Sequence, residues 1–345
     1  MKILLLSPLP PPAGGIATWT EEYCKYVAST DHSIFLINTA VMGKRAAGQK
    51  KRLWDEWTRS RWILGNMKKA LRENVFDCIH INTSCSPSGL LRDVACLLMA
   101  GRRPVILHCH CNVADQIGKS QLGKTLLSFA VQKSDCVLVL NESSKQYLQT
   151  LGCMEAKIVP NFIDMETVIP NSGIREKIEK ILYVGHVRKE KGFFELLEAA
   201  ASLQEIVFEV VGPVYEKLDG LSIPPNVHML GMKPKEEVPA FLQDADVFLF
   251  PSHSEGFSLA LLEAMAVGLP VIATEVGANK DMLEGHGGIL IPVGDVKAIV
   301  SAVEKLQSQS LRRTMSGWNC DKVQEYYTVD AVMSHLLTIT RECAM

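Results

Sequence analysis

Short apolar runs recur along the first half of the chain, separated by longer segments in which apolar residues return every three or four positions. The runs are typical of buried strands and the longer segments of amphipathic helices. Their alternation predicts a parallel sheet with helices on both faces. The predicted helices include Ala17–Ala28, Gly89–Ala100 and Ser144–Leu151, and the predicted strands are Lys2–Ser7, Ser33–Asn38, Cys78–Asn82, Val105–His110, Cys136–Leu140 and Ala156–Val159.

A second series of the same kind begins after the pattern lapses at Ile169–Ser172, which we interpret as a linker. The fold class is therefore α/β, with two Rossmann-like domains, residues 1–166 and 167–325, facing a cleft. In such sheets, ligands bind beyond the carboxyl ends of the strands. The tail Asp321–Met345, which includes a final helix at 326–345, is predicted to be helical. The predicted strands of the second series are Ile181–Val184, Ile206–Val211, Val227–Met229, Asp246–Phe250, Val271–Thr274 and Gly288–Ile291.

The composition narrows the class of protein. A chain of 345 residues, 47% of them apolar, is long enough for two cores of ordinary size. Its net charge of −2 gives no general attraction to nucleic acid. The 10 cysteines are scattered without a C-x-x-C pair, which favours free thiols in a reducing cytoplasm. The start, Met1–Pro8, is too short for a signal peptide, and no apolar run approaches the ~18 residues that span a bilayer.

The most informative segment is Ser252–Ala266, which lies between the apolar runs Val247–Pro251 and Gly268–Thr274. This order predicts a strand, a polar loop, a helix and a further strand. It places Glu255 in the loop and Glu263 about two turns into the helix. Carboxylates at these positions can hold the hydroxyl groups of a sugar.

The helix of this segment is predicted to begin with free backbone amides at Gly256, Phe257 and Ser258. Amides at the amino end of a helix form a ready site for an anion such as phosphate. Carboxylates for sugar hydroxyls beside amides for phosphate predict a pocket for a nucleotide sugar.

The residues Pro251-Ser252, Glu255-Gly256-Phe257 and Glu263-Ala264 resemble the E-x7-E signature of the retaining glycosyltransferases of family 4, or glycosyl transferases group 1. The flanking strand and the Gly-Leu-Pro-Val sequence make this resemblance specific. It implies the GT-B architecture and a last helix that packs back onto the first domain. It also implies that Glu255 contacts the donor sugar, that Glu263 holds the ribose, and that the donor is bound by Gly256, Phe257, Ser258 and Leu259.

The segment Gly185–Gly192 resembles the family's G-R-x4-K-G segment, whose Arg and Lys neutralise the donor diphosphate. Lys191 matches, whereas His186 stands at the position of the Arg. A histidine is charged only below a pKa near 6.5 unless its surroundings shift that value. Arg188 or Lys189 are alternative partners for the diphosphate, and an exposed basic loop without a ligand is the non-functional alternative.

The loop Pro12–Thr18 joins the first strand to the first helix and contains Gly14 and Gly15. Glycines allow the backbone to approach an anion or a sugar closely. The loop is not a G-x-G-x-x-G, so it does not support a dinucleotide-dependent dehydrogenase. The resemblance implies that Gly15 lies against the donor, and a simple strand–helix turn is the alternative.

The segment Leu107–Asn112 alternates two histidines with two cysteines, which suggests zinc. On a strand, however, His108 and His110 point to one side and the cysteines to the other, so the four cannot close one tetrahedral site. The resemblance implies a histidine near the donor sugar instead. His110 is our candidate and His108 is the alternative in register, while His80 is predicted to be a buried structural residue.

The sequence Asp244-Ala245-Asp246 imitates a D-x-D metal motif, but it ends a predicted helix and enters an apolar strand. We interpret Asp246 as structural and expect no metal, because a lysine and helix amides can hold a diphosphate without a divalent ion. No cofactor is implied beyond the nucleotide sugar. The segments Val159–Asp164 and Asn226–Gly231 resemble the family's hinge turn and the segment near its nucleotide base.

The segment Lys44–Arg72 holds ten Lys and Arg against two acids, a net charge of +8 in a chain that is otherwise acidic. On a helical wheel, Trp62 points away from the inner face among basic residues. A solvated basic side is the plain interpretation, and contact with an anionic membrane surface is the alternative. The predicted inner face, which would pack on the first domain, comprises Leu53, Trp57, Ser60, Leu64, Met67 and Leu71.

The resemblance implies transfer of a sugar from a nucleotide diphosphate sugar to a glycan or lipid-linked acceptor, with retention, in the assembly of a polysaccharide or glycoconjugate. Glu255, Lys191 and His110 are the predicted catalytic residues, and Gly15 and His186 are predicted to bind the donor. Two other classes stay open. One is a sugar-nucleotide 2-epimerase or a glycogen-phosphorylase-like enzyme on a similar fold, and the other is a non-catalytic subunit that binds nucleotide sugar.

Overall fold

The computed structural model describes residues 1–11, 15–40, 53–169, 173–216 and 221–345. Three sequence predictions fall partly outside these residues: the glycine-rich loop at Pro12–Gly14, the basic segment at residues 44–52, and the linker at residues 170–172. The contacts divide the chain into two compact units. The first comprises Met1–Asn161 with Val332–Met345, and the second comprises Phe162–Ala331. Each unit is built on a parallel six-stranded sheet, so the predicted α/β class is confirmed.

The strands of the first sheet lie in the order β2-β1-β3-β4-β5-β6. All residues of β3 and β4 are buried, the polar residues His80, Asn82, Thr83 and His108 included, as expected for central strands of a sheet that is covered on both faces. The strands are β1 (Lys2–Ser7), β2 (Ser33–Asn38), β3 (Cys78–Thr83), β4 (Val105–Cys109), β5 (Cys136–Val139) and β6 (Lys157–Ile158).

The helices between these strands are α1 (Gly15–Ala28), α2 (Leu53–Glu73), α3 (Pro87–Ala100), α4 (Val113–Ile117), α5 (Gln121–Lys133) and α6 (Glu142–Thr150). Helix α3 packs against both α2 and α5. The inner residues of these three helices share one core with the strands. They therefore form a single layer over the sheet, which we call the α2–α3–α5 layer.

The inner face of α2 differs from the predicted one at one tryptophan. Ile63 and Met67 are fully buried, whereas Trp57 is 49% exposed. At 100° per residue, Trp57 lies about 120° around the helix from Ile63, so it cannot share the buried row. The predicted outward position of Trp62 is confirmed, since its side chain is exposed.

The strands of the second sheet lie in the order β12-β11-β10-β7-β8-β9. They are β7 (Lys180–Val184), β8 (Val207–Val211), β9 (Val227–Gly231), β10 (Val247–Phe250), β11 (Val271–Thr274) and β12 (Gly288–Ile291). The helices are α7 (Phe193–Ser202), α8 (Val238–Asp244), α9 (Leu259–Ala266), α10 (Asn279–Leu283), α11 (Val296–Lys305) and α12 (Gln309–Tyr326).

The predicted helical tail is in fact two helices, because the chain breaks at Tyr327. The second, α13, spans Val329–Ala344. Tyr327 leaves the helical conformation at φ −125°, and its carbonyl oxygen accepts a hydrogen bond from Ile163 N at 2.8 Å. Within the described ranges, none of the helices combines the length and the apolar character that crossing a membrane requires.

Candidate active site

The candidate site of the second unit lies where the strand order of its sheet reverses. The chain passes from β7 to β8 and β9 on one side, then returns to β10, which pairs with β7 on its other side. Loops that leave the carboxyl ends of two such strands diverge and open a crevice for ligands. Lys191 follows β7 and Glu255 follows β10, so the structure brings both predicted residues to this point.

Lys191 and Glu255 form an ion pair in which Lys191 Nζ donates to Glu255 Oε1 at 2.5 Å. The side chains are 25% and 11% exposed, respectively, so the pair is only partly screened by water. A lysine placed here can also pair with a diphosphate, and the carboxylate can accept hydrogen bonds from hydroxyl groups. The pair joins two segments that are 64 residues apart in sequence.

Gly192 locks the lysine loop against the end of β10. It is left-handed at φ +73°, and a Cβ there would lie 2.0 Å from the carbonyl oxygen of Pro251. The neighbouring Glu190 carbonyl accepts a hydrogen bond from His253 N at 2.9 Å. Only glycine permits this approach, so the sequence Lys191-Gly192 fixes where the ammonium group stands.

The Glu255 loop is held from its other side by the turn before α10. Gly277 has φ +52°, and a Cβ there would lie 1.9 Å from the Glu255 carbonyl oxygen. Ala278 N donates to the carbonyl oxygen of Gly256 at 3.2 Å. The backbone around Glu255 is therefore enclosed between two other segments, which limits the positions open to its carboxylate.

Helix α9 begins at Leu259, later than the sequence predicts. Ser258 is its N-cap, and the Ser258 hydroxyl accepts a hydrogen bond from Leu261 N at 3.2 Å. Gly256 and Phe257 therefore precede the helix instead of forming its first turn. A serine side chain that bonds to the backbone amide three residues on sets the start of a helix, and the pattern of apolar residues does not reveal it. The positive end of the α9 dipole directly follows the Glu255 loop.

Glu263 lies only one turn into α9, since it is the fifth residue of the helix. Glu263 is partly buried, and the desolvation of its carboxyl group raises its pKa, with Lys235 acting in the opposite direction. Glu263 and Lys235 line a cavity of about 460 Å³ together with Val238, Leu242 and Val267. The lining also includes Glu166, Thr167 and Glu236. The cavity therefore offers several polar groups for the hydroxyls of a ribose beside apolar walls that can contact a base.

His186 lies at the surface beside Arg188 and Tyr215. Partial burial lowers the pKa of its imidazole, and the charges of Arg188 and Lys191 lower it further. Its ring contacts the Tyr215 ring edge-on at 5.1 Å, and the Arg188 guanidinium lies 4.7 Å from the same ring. Tyr215 thus holds an arginine next to the position where the family's arginine is expected.

Asp246 has the structural role that the sequence predicts. Its Oδ2 accepts hydrogen bonds from the backbone amides of Glu179 and Lys180, both at 2.9 Å. Its Oδ1 lies 3.1 Å from Arg175 Nη1, and Asp244 pairs with the same arginine at 2.6 Å. These carboxylates therefore join β10 to the segment before β7. Within the described residues, no group of His, Cys, Asp and Glu could hold a metal ion.

The predicted residues of the first unit are Gly15 and His110, and Trp19 of α1 contacts the second of them. Gly15 starts α1, and a Cβ there would meet no atom within 4 Å, so the space beside it is open. Trp19, one turn on, contacts the His110 ring at 4.8 Å. The His108 ring is tilted by 37° against the His110 ring, with 3.9 Å between the ring centroids. Burial, with a smaller effect of His80, lowers the pKa of His110 to about 3, so His110 is a neutral imidazole at pH 7.

The alternation predicted for β4 is confirmed. His80, His108 and His110 share one aromatic cluster, while the thiols of Cys109 and Cys111 contact Cys85. His80 is fully buried, as predicted. Because imidazoles and thiols lie on opposite sides of the strand, they do not form one zinc site.

Two family models match consecutive parts of the chain. The Glycosyltransferase Family 4 model matches residues 13–167, and the Glycosyl transferases group 1 model matches residues 164–319, which include Lys191, Glu255 and Glu263. The chain belongs to the group 1 glycosyltransferases of the GT-B fold.

Three relatives of this group 1 glycosyltransferase differ in the share of their length over which they are similar to it. It is 29% identical over 186 residues to the capsular polysaccharide biosynthesis glycosyltransferase CapM of Staphylococcus aureus, covering 49% of each protein. The chain thus spans about half the length of CapM. It is 26% identical to N-acetyl-alpha-D-glucosaminyl L-malate synthase of Bacillus anthracis, covering 78% of the chain and 75% of that protein. It is 25% identical to the UDP-Gal:alpha-D-GlcNAc-diphosphoundecaprenol alpha-1,3-galactosyltransferase of Escherichia coli, covering 78% and 79%.

Solved GT-B structures match this glycosyltransferase over nearly its full length. Sucrose-phosphate synthase from Thermosynechococcus elongatus has a TM-score of 0.80 at 17% identity, covering 99% of the chain and 98% of that structure. HepE of Anabaena, in complex with UDP, has a TM-score of 0.76 at 16% identity, covering 99% and 100%. At these identities the likeness establishes the shared fold.

Sequence reasoning missed three residues at the candidate site. Lys235 faces Glu263, Tyr215 holds Arg188, and Glu195 contacts His253 with 2.8 Å between Oε1 and Nε2. Each belongs to a contact between segments that are far apart in sequence. No local pattern indicates such a contact, and only the order of the strands brings these segments together.

Proposed function

We propose that this glycosyltransferase moves a sugar from a nucleotide diphosphate sugar to a glycan or lipid-linked acceptor, with retention at the anomeric carbon and without a metal ion. The observation that carries the proposal is the Lys191–Glu255 pair at the point of strand reversal, directly before the positive end of α9. It offers a cation and helix amides for a diphosphate, and a carboxylate for sugar hydroxyls, within one crevice.

The donor would lie across the second unit with each of its parts at a different element. Lys191 and the amides at the start of α9 would hold the diphosphate, assisted by Arg188 and His186. Glu255 would accept hydrogen bonds from the sugar hydroxyls. Glu263 would bind the ribose, and the cavity beside Lys235 would hold the base. UDP in the HepE complex supports a uridine nucleotide as the first donor to test.

Charge stabilisation at the leaving group would be the main catalytic effect. The bond between the anomeric carbon and the phosphate oxygen breaks, and its electron pair stays on the diphosphate. Lys191 and the α9 amides stabilise that charge. A phosphate oxygen then takes the proton of the acceptor hydroxyl as this hydroxyl attacks the same face of the sugar, which gives retention. Lys191 and helix amides balance the diphosphate charge without a divalent ion.

The first unit is proposed to bind the acceptor and to present His110 and Gly15 to the donor sugar. The neutral imidazole of His110 can exchange hydrogen bonds with a hydroxyl without adding charge. The relatives differ in acceptor, since one is named for a diphosphoundecaprenol lipid and another for malate. We favour a lipid-linked acceptor at the cytoplasmic face of a membrane, because α2 exposes Trp62 beside Arg61 and close to Lys69.

A non-catalytic subunit that binds nucleotide sugar is the second candidate, and the replacement of the family's arginine by His186 favours it. Such a subunit would be stabilised by the donor and would release no nucleotide. An epimerase would convert the donor without any acceptor. A thermal-shift screen against UDP-, GDP- and ADP-sugars, followed by assays of nucleotide release with and without acceptor, separates the three.

The first prediction concerns the pair itself. Lys191→Ala and Glu255→Ala should each lower kcat/KM for transfer by about 10²–10³, because each removes a pre-organised charge at the reacting centre. The matched control is Lys280→Ala, which breaks an exposed ion pair with Glu275 at 2.6 Å in the same unit and should leave transfer unchanged. Turnover close to wild type in either site variant would contradict the assignment.

The second prediction concerns metal. Transfer rates should be nearly the same with and without EDTA, because lysine and amide groups balance the charge of the leaving diphosphate. The measurement is initial-rate kinetics after dialysis against the chelator, with Mg²⁺ and Mn²⁺ added back separately. An absolute requirement for either ion would overturn this part of the mechanism.

A further inference from the structure

The outer side of the α2–α3–α5 layer exposes large apolar side chains on all three helices. The inner sides of these helices are buried in the core, so the outward residues do not serve packing within the unit. Leu91 and Leu98 are seven residues apart on α3, as are Leu122 and Phe129 on α5, and each pair forms one stripe along its helix. With Trp54, Trp57 and Trp62 of α2, these side chains are between 37% and 71% exposed.

Basic side chains surround these apolar stripes. On α2, the Arg61 guanidinium lies 4.5 Å from the Trp57 ring, which in turn contacts Trp54 at 5.1 Å. Arg102 and Arg103 follow α3 directly, and Lys119 and Lys124 lie before and within α5. The only acids on α2 are Asp55 and Glu56 at its start and Glu73 at its end, so cations predominate on this side of the unit.

The apolar and basic groups meet in one place between α3 and α5. A cavity of about 350 Å³ opens there, lined by the side chains of Leu98, Arg102, Arg103 and Lys133. Its acidic neighbour, Asp135, accepts a hydrogen bond from Val105 N at 2.8 Å and is held at the sheet edge. Three cations beside an exposed leucine match a phosphate group attached to an acyl chain.

An anionic bilayer fits this combination better than another protein does. Tryptophan is favoured at the boundary between headgroups and acyl chains. Lysine and arginine can bury their stems and keep their charges among anionic headgroups. A protein interface, in contrast, is depleted of lysine, which this side carries on two of its three helices.

We propose that the outer side of the α2–α3–α5 layer rests on an anionic membrane, with Leu91, Leu98, Leu122 and Phe129 entering the lipid boundary and the Arg102–Arg103–Lys133 cavity holding a lipid phosphate. The inference deepens the proposed function, since it names the surface on which a lipid-linked acceptor would arrive. Membrane binding itself requires neither donor nor turnover, so the inference of membrane binding and the proposed transfer function can fail separately.

The helix directions relate this contact to the candidate residues of the first unit. Helices that join parallel strands run opposite to them, so the amino ends of α3 and α5 lie at the carboxyl edge of the sheet. Leu91 and Leu122 are near those ends, and His110 and Gly15 follow strands at the same edge. An acceptor anchored in the membrane would therefore have its glycan close to this edge.

The test is co-sedimentation of the full chain with vesicles of phosphatidylcholine alone or mixed equally with phosphatidylglycerol, at low and high salt. We expect binding to the mixed vesicles only, weakened by salt. Replacing the four apolar residues should reduce the partition coefficient at least about tenfold. This apolar variant is Leu91→Ser, Leu98→Ser, Leu122→Ser and Phe129→Ser.

A charge variant and two controls make the outcome decisive. Replacing the cavity cations with glutamate, in Arg102→Glu, Arg103→Glu and Lys133→Glu, should remove most of the salt-sensitive binding. The control variant Met345→Ser changes an exposed apolar residue directly after α13, a helix whose Ser334 contacts Tyr26 of α1, and it should bind as wild type does. Lys191→Ala should also bind as wild type, since it affects only the proposed transfer.

Three results would overturn the inference. The first is wild-type binding by the apolar or the charge variant when its melting temperature is unchanged. The second is equal binding to both kinds of vesicle. The third is a concentration-dependent dimer, seen by analytical ultracentrifugation, that the apolar variant abolishes, because this would assign the surface to a second copy of the chain.

Discussion

His186 decides how much positive charge the lysine loop carries at a given pH. Partial burial lowers the pKa of its imidazole below the ordinary value of 6.5, the cations Arg188 and Lys191 lower it further, and the carboxylate Glu255 acts in the opposite direction. At pH 7 it is therefore mainly neutral in the free protein, and it can donate one hydrogen bond to a phosphate oxygen. The positive charge that we propose for the diphosphate then comes from Lys191 and from Arg188, whose guanidinium lies 4.7 Å from the Tyr215 ring.

Donor affinity should respond to this titration only on the acid side. A group with a lowered pKa gains its proton, and with it any additional attraction to a diphosphate, as the pH falls below about 6.5. We expect the Kd for the best nucleotide sugar to be constant from pH 7 to about 8.5. At pH values below 7, we expect the Kd to decrease, which means tighter binding. In both His186→Gln and His186→Arg, donor binding should no longer become tighter at acid pH. Calorimetric titration of each variant measures this. The same tightening in both variants would assign it to another group.

At the scale of elements, two loops and the start of α9 form the candidate site, and glycines allow these segments to approach each other closely. Gly192→Ala should destabilise the protein by at least about 1–2 kcal/mol, because a left-handed conformation and a close carbonyl oppose the new methyl group. It should also lower transfer, since Lys191 is displaced. The control is Gly317→Ala in α12, where a Cβ meets no atom within 4 Å. Thermal and urea unfolding measure the stability of Gly192→Ala and of Gly317→Ala. Equal stability of the two variants would contradict this account.

The sequence predicts the elements well where burial alone determines them. The strands Ser33–Asn38 and Val271–Thr274 have the predicted bounds, because the first alternates in exposure over most of its length and the second is buried on both faces of its sheet. The positions of Lys191 and Glu255 could also be predicted, since each follows such a strand directly.

Other features depend on interactions that a single stretch of sequence does not reveal. Helix α9 begins at Leu259, later than predicted, because Ser258 caps it. Trp57 is exposed because the buried row of α2 passes through Ile63 and Met67. Lys235 faces Glu263 only because α8 and α9 pack side by side. A cap, a helix rotation and a helix–helix contact each require the tertiary structure.

At the scale of the whole molecule, α13 is a late segment of chain that belongs to the early unit. Met333 and Leu336 are fully buried, so Leu336→Ala should destabilise the first unit by about 2–5 kcal/mol. Hydrogen exchange should accelerate in residues 1–161 and stay unchanged in residues 173–321. The control Lys157→Ala breaks an exposed pair with Glu342 at 2.7 Å and should change neither. Faster exchange confined to the second unit would show that α13 stabilises that unit instead.

This arrangement has a consequence for the order of events during synthesis. A ribosome makes the chain from its amino end, so residues 162–331 are complete before the part of α13 that belongs to the first unit has been made. The first unit begins to form first, but it is incomplete until α13 has been made. Until then, the surface that later covers Met333 and Leu336 is exposed to water. Nascent chains in that interval are exposed to aggregation and to chaperones. The second unit, although its translation begins later, is therefore the first to have all of its residues available for folding.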